Sequence, residues 1–312
     1  MSVRIGLGLA GFPFSSPSAF FDWIDLCESS AIDSVWLSER LVSSQPTLEP
    51  LAAFGAIAGR TKRLKFGMNA TVLPFRDPLV LAKECATLDY LSGGRLLPAF
   101  GVGGDKAPEF RATGRAPEGR GPRSDEMLDI MVRLWAEENV TYRGKYYQYE
   151  NVTISPKPAQ TPLPVWIGGS SDAAIRRTAR IGTGWLAGLQ SPRQIRPVVA
   201  AIRSASAASG RPLDPDHYGA GFPFRFGSPE EAIVQRTASA MARIGEGLDP
   251  AEYLAVGDAE AIIARAREYA DVGISKFVLR PIASTDAEWL AQTRRLVDEV
   301  LPAVHAMQTS GL

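Results

Sequence analysis

Asp77 to Asp105 reads DPLVLAKECATLDYLSGGRLLPAFGVGGD, and this stretch decides the fold class. The Asp77 side chain can accept from the free N–H groups that open a helix, and Pro78 suits the first helical position. Leu81, Cys85 and Leu88 then recur at helical spacing, with Ala82 and Leu91 beside them. Gly93 ends the helix, because the position after it favours a residue that tolerates positive φ. Arg95 precedes a short apolar run, Leu96 to Phe100, of the kind a parallel sheet buries on both faces. The run leads into Gly101-Val102-Gly103-Gly104. Bare backbone just past a parallel strand is where α/β proteins place ligands, although a tight turn would use the same glycines.

The alternation extends upstream. Val3 to Leu9 reads as a strand, and a helix follows from Ser16 and Pro17 to Ser30. Asp33 to Ser38 is a strand, Glu49 to Arg60 a helix and Leu64 to Leu73 a strand. Crossovers of helical length predict parallel pairing with right-handed connections. Gly6 to Gly11 matches GxGxxG, but a dinucleotide fingerprint opens a helix at its glycines, and here Pro13 and Pro17 follow first.

Downstream, Gly103 to Pro122 is rich in Gly, Pro, Arg and charge and reads as a surface excursion or lid. Arg123 to Glu137 has a helical stripe of Met127, Ile130, Met131 and Leu134, and Tyr142 to Ile154 reads as a small hairpin. Four prolines between Pro156 and Pro164 forbid regular structure. Val165 to Ile167 is a strand ending in Gly168-Gly169-Ser170-Ser171, with a helix over Asp172 to Ile181. Gly184 to Ala187, His217 to Phe226 and Lys276 to Leu279 complete the strands. Helices follow Ser191 and Asp258, Ser228 to Leu254 has helical pattern without a clear partner, and Asp286 to Met307 closes the chain as one amphipathic helix. Eight strands alternating with eight helices predict an α/β protein, a (β/α)8 TIM barrel. It forms a single domain over residues 1–312, with insertions after strands four and seven.

Composition narrows the function. With 312 residues, 45% of them hydrophobic, the chain can bury a large core. Its 34 basic and 34 acidic residues cancel, so no bulk field favours nucleic acid or a membrane surface. Cys27 and Cys85, both within helical pattern, suit a reducing compartment. No apolar run is long enough to span a bilayer and the start lacks a signal-peptide layout, which predicts a cytoplasmic protein.

In a barrel the active site lies where strands end. Those ends are rich in glycine and aromatics and poor in titratable groups. The chain has two histidines, His217 and His305, too few for a metal hydrolase at the strand ends. It has no GxSxG and no strand-end lysine. A bound organic cofactor would supply the missing chemistry. Gly169-Ser170-Ser171 could bind phosphate through backbone N–H groups, or Ser170 or Ser171 could simply cap the next helix.

These pieces resemble the luciferase-like oxidoreductases, which use flavin or deazaflavin on a (β/α)8 barrel. The resemblance is carried by Leu73-Pro74-Phe75-Arg76-Asp77-Pro78, Leu88 to Arg95 and Gly101 to Gly104. It continues through Asp125-Glu126 to Leu134-Trp135, Tyr142-Arg143-Gly144, Pro158 to Pro164, Val165 to Gly169 and Gly182 to Trp185. It implies cofactor contacts at Ser38, at the backbone of Ala70-Thr71 and Val102-Gly103, at Gly168, Gly169 and Ser170, and at Gly188. Arg280 matches a position that often binds the cofactor phosphate, and a rim ion pair is the other role open to it. The resemblance also implies a non-proline cis peptide between Ala70 and Thr71. It further implies a homodimer, to which Leu51, Phe54, Ile57 and Ala58 would lend an apolar stripe.

Two departures bear on the chemistry. Where the family often has Trp-x-x-Asp/Glu-His, this chain has Trp36-Leu37-Ser38-Glu39-Arg40, and an arginine donates no proton at ordinary pH. The loop after strand four is one residue short before Glu109-Phe110, which weakens an acid role for Asp105. Glu39, Arg40 and Asp105 are the candidate catalytic residues. Glu39 is expected to face the pocket, with Arg40 pairing with it or pointing at the substrate.

Three functions follow. The first is an oxidoreductase that exchanges hydride between coenzyme F420, a deazaflavin, and a small organic substrate. The second is an FMN-dependent monooxygenase that uses molecular oxygen and is served by a separate reductase. Its dry pocket would draw on Phe12, Phe14, Phe75, Trp185, Phe222 and Phe224, unless these only pack the barrel. The third is a non-catalytic flavin-binding barrel.

Overall fold

The computed structural model describes residues 3–244 and 249–307. Strand β1 (Arg4–Leu9) leads to α1 (Pro17–Ser29), β2 (Ser34–Leu37), α2 (Pro50–Arg60), β3 (Lys65–Met68) and β4 (Thr71–Val72). After a 3-10 turn come α3 (Pro78–Ser92), β5 (Leu96–Leu97), β6 (Ala99–Gly101), α4 (Pro108–Ala112) and α5 (Arg120–Ala136). The hairpin is β7 (Val140–Arg143) and β8 (Gln148–Val152). Then follow β9 (Trp166–Gly168), α6 (Asp172–Ile181), β10 (Gly184–Leu186), α7 (Pro192–Ala208), β11 (Tyr218–Ala220) and β12 (Pro223–Phe226). The chain continues with α8 (Ala232–Ile244), β13 (Ala255–Gly257), α9 (Ala259–Ala270), β14 (Lys276–Pro281), α10 (Asp286–Arg295) and α11 (Leu301–His305).

Helix starts follow the local chemistry. Ser16, Asp77, Ser171 and Asp258 each accept a backbone N–H from the first turn of the helix they precede, and Gly93 ends α3 at φ +68°. The result is a mostly parallel sheet that curls upon itself. Pairing runs from β3 through β2 and β1 to β14, and on through β11, β10, β9 and β6 to β4.

Three expected strands are each split in two. Pro98 divides β5 from β6, so β5 pairs with β3 while β6 pairs with β4 and β9. Gly221 divides β11 from β12. A Cβ there would lie 2.0 Å from the Val278 carbonyl oxygen, so only glycine lets the chain shift past β14. The third break is the expected departure from a straight strand three. The non-proline cis peptide lies at Asn69–Ala70, one bond before the expected Ala70–Thr71.

Other boundaries also differ. The excursion after β6 contains α4, and α5 starts at Arg120 rather than Arg123. The closing helix is interrupted by a wide turn at Leu296–Val300, just before Pro302, which has no N–H to continue a regular ladder. Of the expected helical stretch from Ser228 to Leu254, residues 245–248 lie outside the described residues.

Leu51, Phe54, Ile57 and Ala58 on α2 are all buried in the core of this one chain. That stripe is therefore not a spare surface for a second copy. Among the described residues no helix is long and apolar enough to cross a membrane.

Arg95 ties the sheet to this layer. It is 8% exposed, and its guanidinium donates to the carbonyls of Ala58, Thr61, Leu64 and Ser92 and to the Thr61 hydroxyl, at 2.6–3.0 Å. The carbonyls of Ala58, in the last turn of α2, and of Thr61, just past its end, find in Arg95 a donor that the helix does not supply.

Candidate active site

The carboxyl ends of the parallel strands surround a cavity of about 340 Å³. Gly8, Leu9 and Ala10 enter its wall from β1, Ser38 and Arg40 from beyond β2, and Asn69 from beyond β3. Leu186 to Leu189 come from the end of β10, Gly221 to Pro223 from the break in strand seven, and Val278 and Arg280 from β14. Gly8 permits this convergence, because a Cβ there would lie 2.7 Å from Val278 Cγ1.

Among the described residues, Arg40 and Arg280 are the charged groups of the wall, and no carboxylate, histidine or lysine lines it. Among the described residues neither guanidinium has a hydrogen-bond or ion-pair partner, so the rim ion pair considered for Arg280 is absent there. Burial lowers the pKa of Arg280. Its side chain also borders an adjoining pocket of about 310 Å³ with Phe12, Pro13, Gln45, Pro46 and Trp289.

Glu39 is placed differently from expectation. Its side chain is 1% exposed and does not line the cavity. One carboxylate oxygen accepts the Val72 N–H at 2.7 Å, and the other accepts Arg76 Nε at 3.1 Å and a second Arg76 nitrogen. Arg76 also reaches Glu49 at 2.7 Å. Burial pushes the Glu39 carboxyl above its ordinary value, against the opposing pull of Arg76 and the Val72 N–H. The partner of Glu39 is therefore Arg76 and not Arg40, because the chain turns back at Leu73–Phe75 and lays Arg76 against it.

Of the other expected contact residues, Ser38, Gly188 and Arg280 line the cavity. Ala70, Gly101 and Gly168 meet at the ends of neighbouring strands: Cβ atoms built at Gly101 and Gly168 would lie 3.9 and 3.6 Å from the Ala70 methyl. Thr71 is fully buried, and its hydroxyl has no hydrogen-bond partner among the described residues. Val102 and Gly103 follow β6. Gly103 has φ +71°, and its carbonyl accepts Arg120 Nε at 3.2 Å. Gly169 has φ +102°, and its carbonyl accepts the Trp185 indole N–H at 2.8 Å. The Ser170 hydroxyl bonds the Gln190 side chain, and Ser171 is the residue that caps α6. Asp105 is exposed and does not line the cavity.

The aromatics divide in the same way. Phe222 lines the cavity, stacked on Tyr269 at 5.5 Å, and Phe12 lines the adjoining pocket. Phe14, Phe75, Trp185 and Phe224 are buried, as barrel packing requires. Sequence reasoning missed Asn69, Gly221 and Val278. The strand breaks place the first two, and no local pattern marks a break between two β runs.

With this geometry in hand, comparisons place the chain among known proteins. A family model described as luciferase-like monooxygenase matches residues 6–253. A protein of Microbacterium testaceum called F420-dependent glucose-6-phosphate dehydrogenase is 29% identical, over 96% of this chain and 97% of its own. One of the same name from Amycolatopsis mediterranei is 26% identical, over 98% of this chain and 99% of its own. Among solved structures, an F420-dependent secondary alcohol dehydrogenase in complex with an F420–acetone adduct superposes with a TM-score of 0.83 at 20% identity. It covers 97% of this chain and 99% of its own. A monooxygenase from Streptomyces bottropensis also gives 0.83, at 22% identity, over 96% of this chain and 99% of its own.

Proposed function

We propose, for a chain that belongs to the luciferase-like monooxygenase family, an oxidoreductase that moves a hydride between coenzyme F420 and a small organic substrate. The observation that carries this reading is the Arg280 guanidinium, unpaired among the described residues, in a strand-end cavity to which those residues bring no carboxylate, histidine, cysteine or lysine. Full-length relatives named for F420 support it. The bound deazaflavin would supply the carbon that exchanges hydride.

The residues present fit such a group. Arg280 would hold its phosphate through a charge-assisted fork. Gly188, where an added Cβ would meet nothing within 4 Å, leaves backbone room beside it. Ala70, Thr71, Val102, Gly103, Gly168, Gly169 and Ser170 would shape the ring and phosphate side. Ser38 offers the hydroxyl through which a proton reaches the substrate oxygen. Glu39 acts as a positioning residue through Arg76 and Val72, Arg40 faces the substrate, and Asp105 is assigned no part. The apolar side chains of Leu9, Leu186, Leu189, Phe222 and Val278 would keep the transfer dry.

The same proposal covers the architecture: one domain over residues 1–312, an eight-fold barrel, with the segments after strands four and seven as insertions. It places the protein in the cytoplasm and includes a homodimer. That dimer now rests on Val80, Tyr90 and Leu91, which are 54%, 57% and 71% exposed on α3. Light scattering at micromolar concentration tests it, and a monomer would remove it.

A second reading, an FMN monooxygenase with a separate reductase, is favoured by the description of the family itself. Titration of the protein with FMN and with F420, followed by fluorescence and oxygen uptake, separates the two. Exclusive F420 binding with substrate-dependent turnover supports hydride transfer, and FMN binding with oxygen uptake replaces it. Binding without turnover across a substrate panel leaves a non-catalytic flavin carrier.

A further inference from the structure

Two guanidinium groups share one concave wall, and no described residue compensates either. Arg40 and Arg280 both line the cavity without partners among the described residues, and no carboxylate lines it with them. The carboxylate adjacent in sequence, Glu39, is already committed to Arg76 and the Val72 N–H. Two like charges facing a common recess repel each other, and the field they focus there favours anions. The cofactor phosphate assigned to Arg280 accounts for one of them. Arg40 is left over.

We propose that the site takes a second oxyanion, on the substrate, and that Arg40 recognises it. The substrate class is then a small hydroxy or oxo compound bearing a carboxylate or a phosphate ester. Arg40 is a specificity-determining group that binds and orients. It is not the proton donor, since a guanidinium stays charged at ordinary pH. A fork of N–H donors matches a carboxylate or phosphate in a way that an imidazole at this position would not. The proposal rests on the oxidoreductase reading for which oxyanion belongs to which molecule, and the test separates the two.

Inorganic phosphate is titrated calorimetrically into wild type, Arg40→Gln, Arg40→Lys and Arg280→Gln, each cofactor-free and each loaded with whichever of FMN or F420 binds. Cofactor affinity is measured in parallel with FMN against riboflavin, and with F420 against its phosphate-free riboside. Loaded wild type should still bind phosphate, Arg40→Gln should weaken that binding by about tenfold or more, and Arg40→Lys should recover part of it. Arg40→Gln should leave cofactor affinity within about twofold, whereas Arg280→Gln should weaken the phosphate-bearing cofactor and spare the phosphate-free one. Failure of loaded wild type to bind phosphate overturns the proposal. So does an Arg40→Gln loss confined to phosphate-bearing cofactors, which would give Arg40 to the cofactor. If no cofactor binds wild type, the oxidoreductase reading fails by itself, and the free protein decides the Arg40 assignment. Phosphate binding lost in Arg40→Gln keeps it, and unchanged binding overturns it.

Discussion

The Arg76 guanidinium holds the Glu39 carboxylate through two of its nitrogens, across 37 residues of chain, with Nε 3.1 Å from the oxygen it shares. The contact fixes the end of β2 to the turn after β4, since the other Glu39 oxygen takes the Val72 N–H. It also keeps the carboxylate out of the cavity and leaves Arg40 without a partner among the described residues.

Glu39→Gln should therefore act through position. We expect a loss of about 3 kcal/mol in urea unfolding, the cost of breaking a buried pair, softened where Arg76 keeps Glu49. Cofactor affinity should fall because the Asn69 to Val72 segment loosens, while the pH dependence of turnover keeps its shape. Disappearance of one limb of that profile would make Glu39 the acid after all.

Arg280→Ala should weaken cofactor binding by on the order of 1.5–3 kcal/mol, the worth of a charge-assisted bond. The thermal midpoint of the cofactor-free protein should hold or rise, because the guanidinium has no partner among the described residues to lose. An unchanged cofactor Kd would remove Arg280 from the phosphate site.

The helix starts and the parallel order were legible because caps and apolar spacing are local signals. Asp77 and Ser16 cap where their sequence context says they should. The strand breaks were not legible, because each depends on which neighbour a short segment pairs with around the curl. Leu96 and Phe100 look like one run, yet they lie in segments that pair with different strands. The site divides along the same line. Ser38, Gly188 and Arg280 lie near strand ends where the resemblance implies contacts, whereas the fate of Glu39 is decided by Arg76, far along the chain. The resemblance implied the cis peptide but one bond late, at Ala70–Thr71 where the chain has it at Asn69–Ala70.

Arg95 is a case where sequence gave the residue without its task. Arg95→Met would leave the carbonyls of Ala58, Thr61 and Leu64 without this donor, and we expect a loss of on the order of 3 kcal/mol in denaturant unfolding. Arg95→Lys should recover little, since a point charge cannot reach five acceptors. Stability within about 0.5 kcal/mol of wild type would mean that water replaces the guanidinium.

Acid should loosen the junction between α1 and β3 once the pH falls below 4.5. Glu28 near the end of α1 accepts the backbone N–H groups of Lys62, Arg63 and Leu64 at 2.7–2.9 Å. Arg63 returns the contact by donating to the carbonyls of Cys27, Glu28 and Ile32. Burial alone would raise the Glu28 carboxyl, but the three N–H groups and the Arg63 charge outweigh it and hold the carboxyl below its ordinary value of 4.5. The folded state thus binds this proton more weakly than the unfolded chain does. Its contribution is fully present above pH 4.5 and is lost as pH falls through the lower folded value. Glu28→Gln should cost about 2 kcal/mol at neutral pH. It should also flatten the fall of the thermal midpoint between pH 5 and 3 relative to wild type, because the variant has no proton to gain there. Parallel curves for the two proteins across that range would show that the acid response lies elsewhere. Glu231 and Glu288 are the next groups to test, since bonds from Arg225 and from the Ser284 N–H respectively hold their carboxyls low.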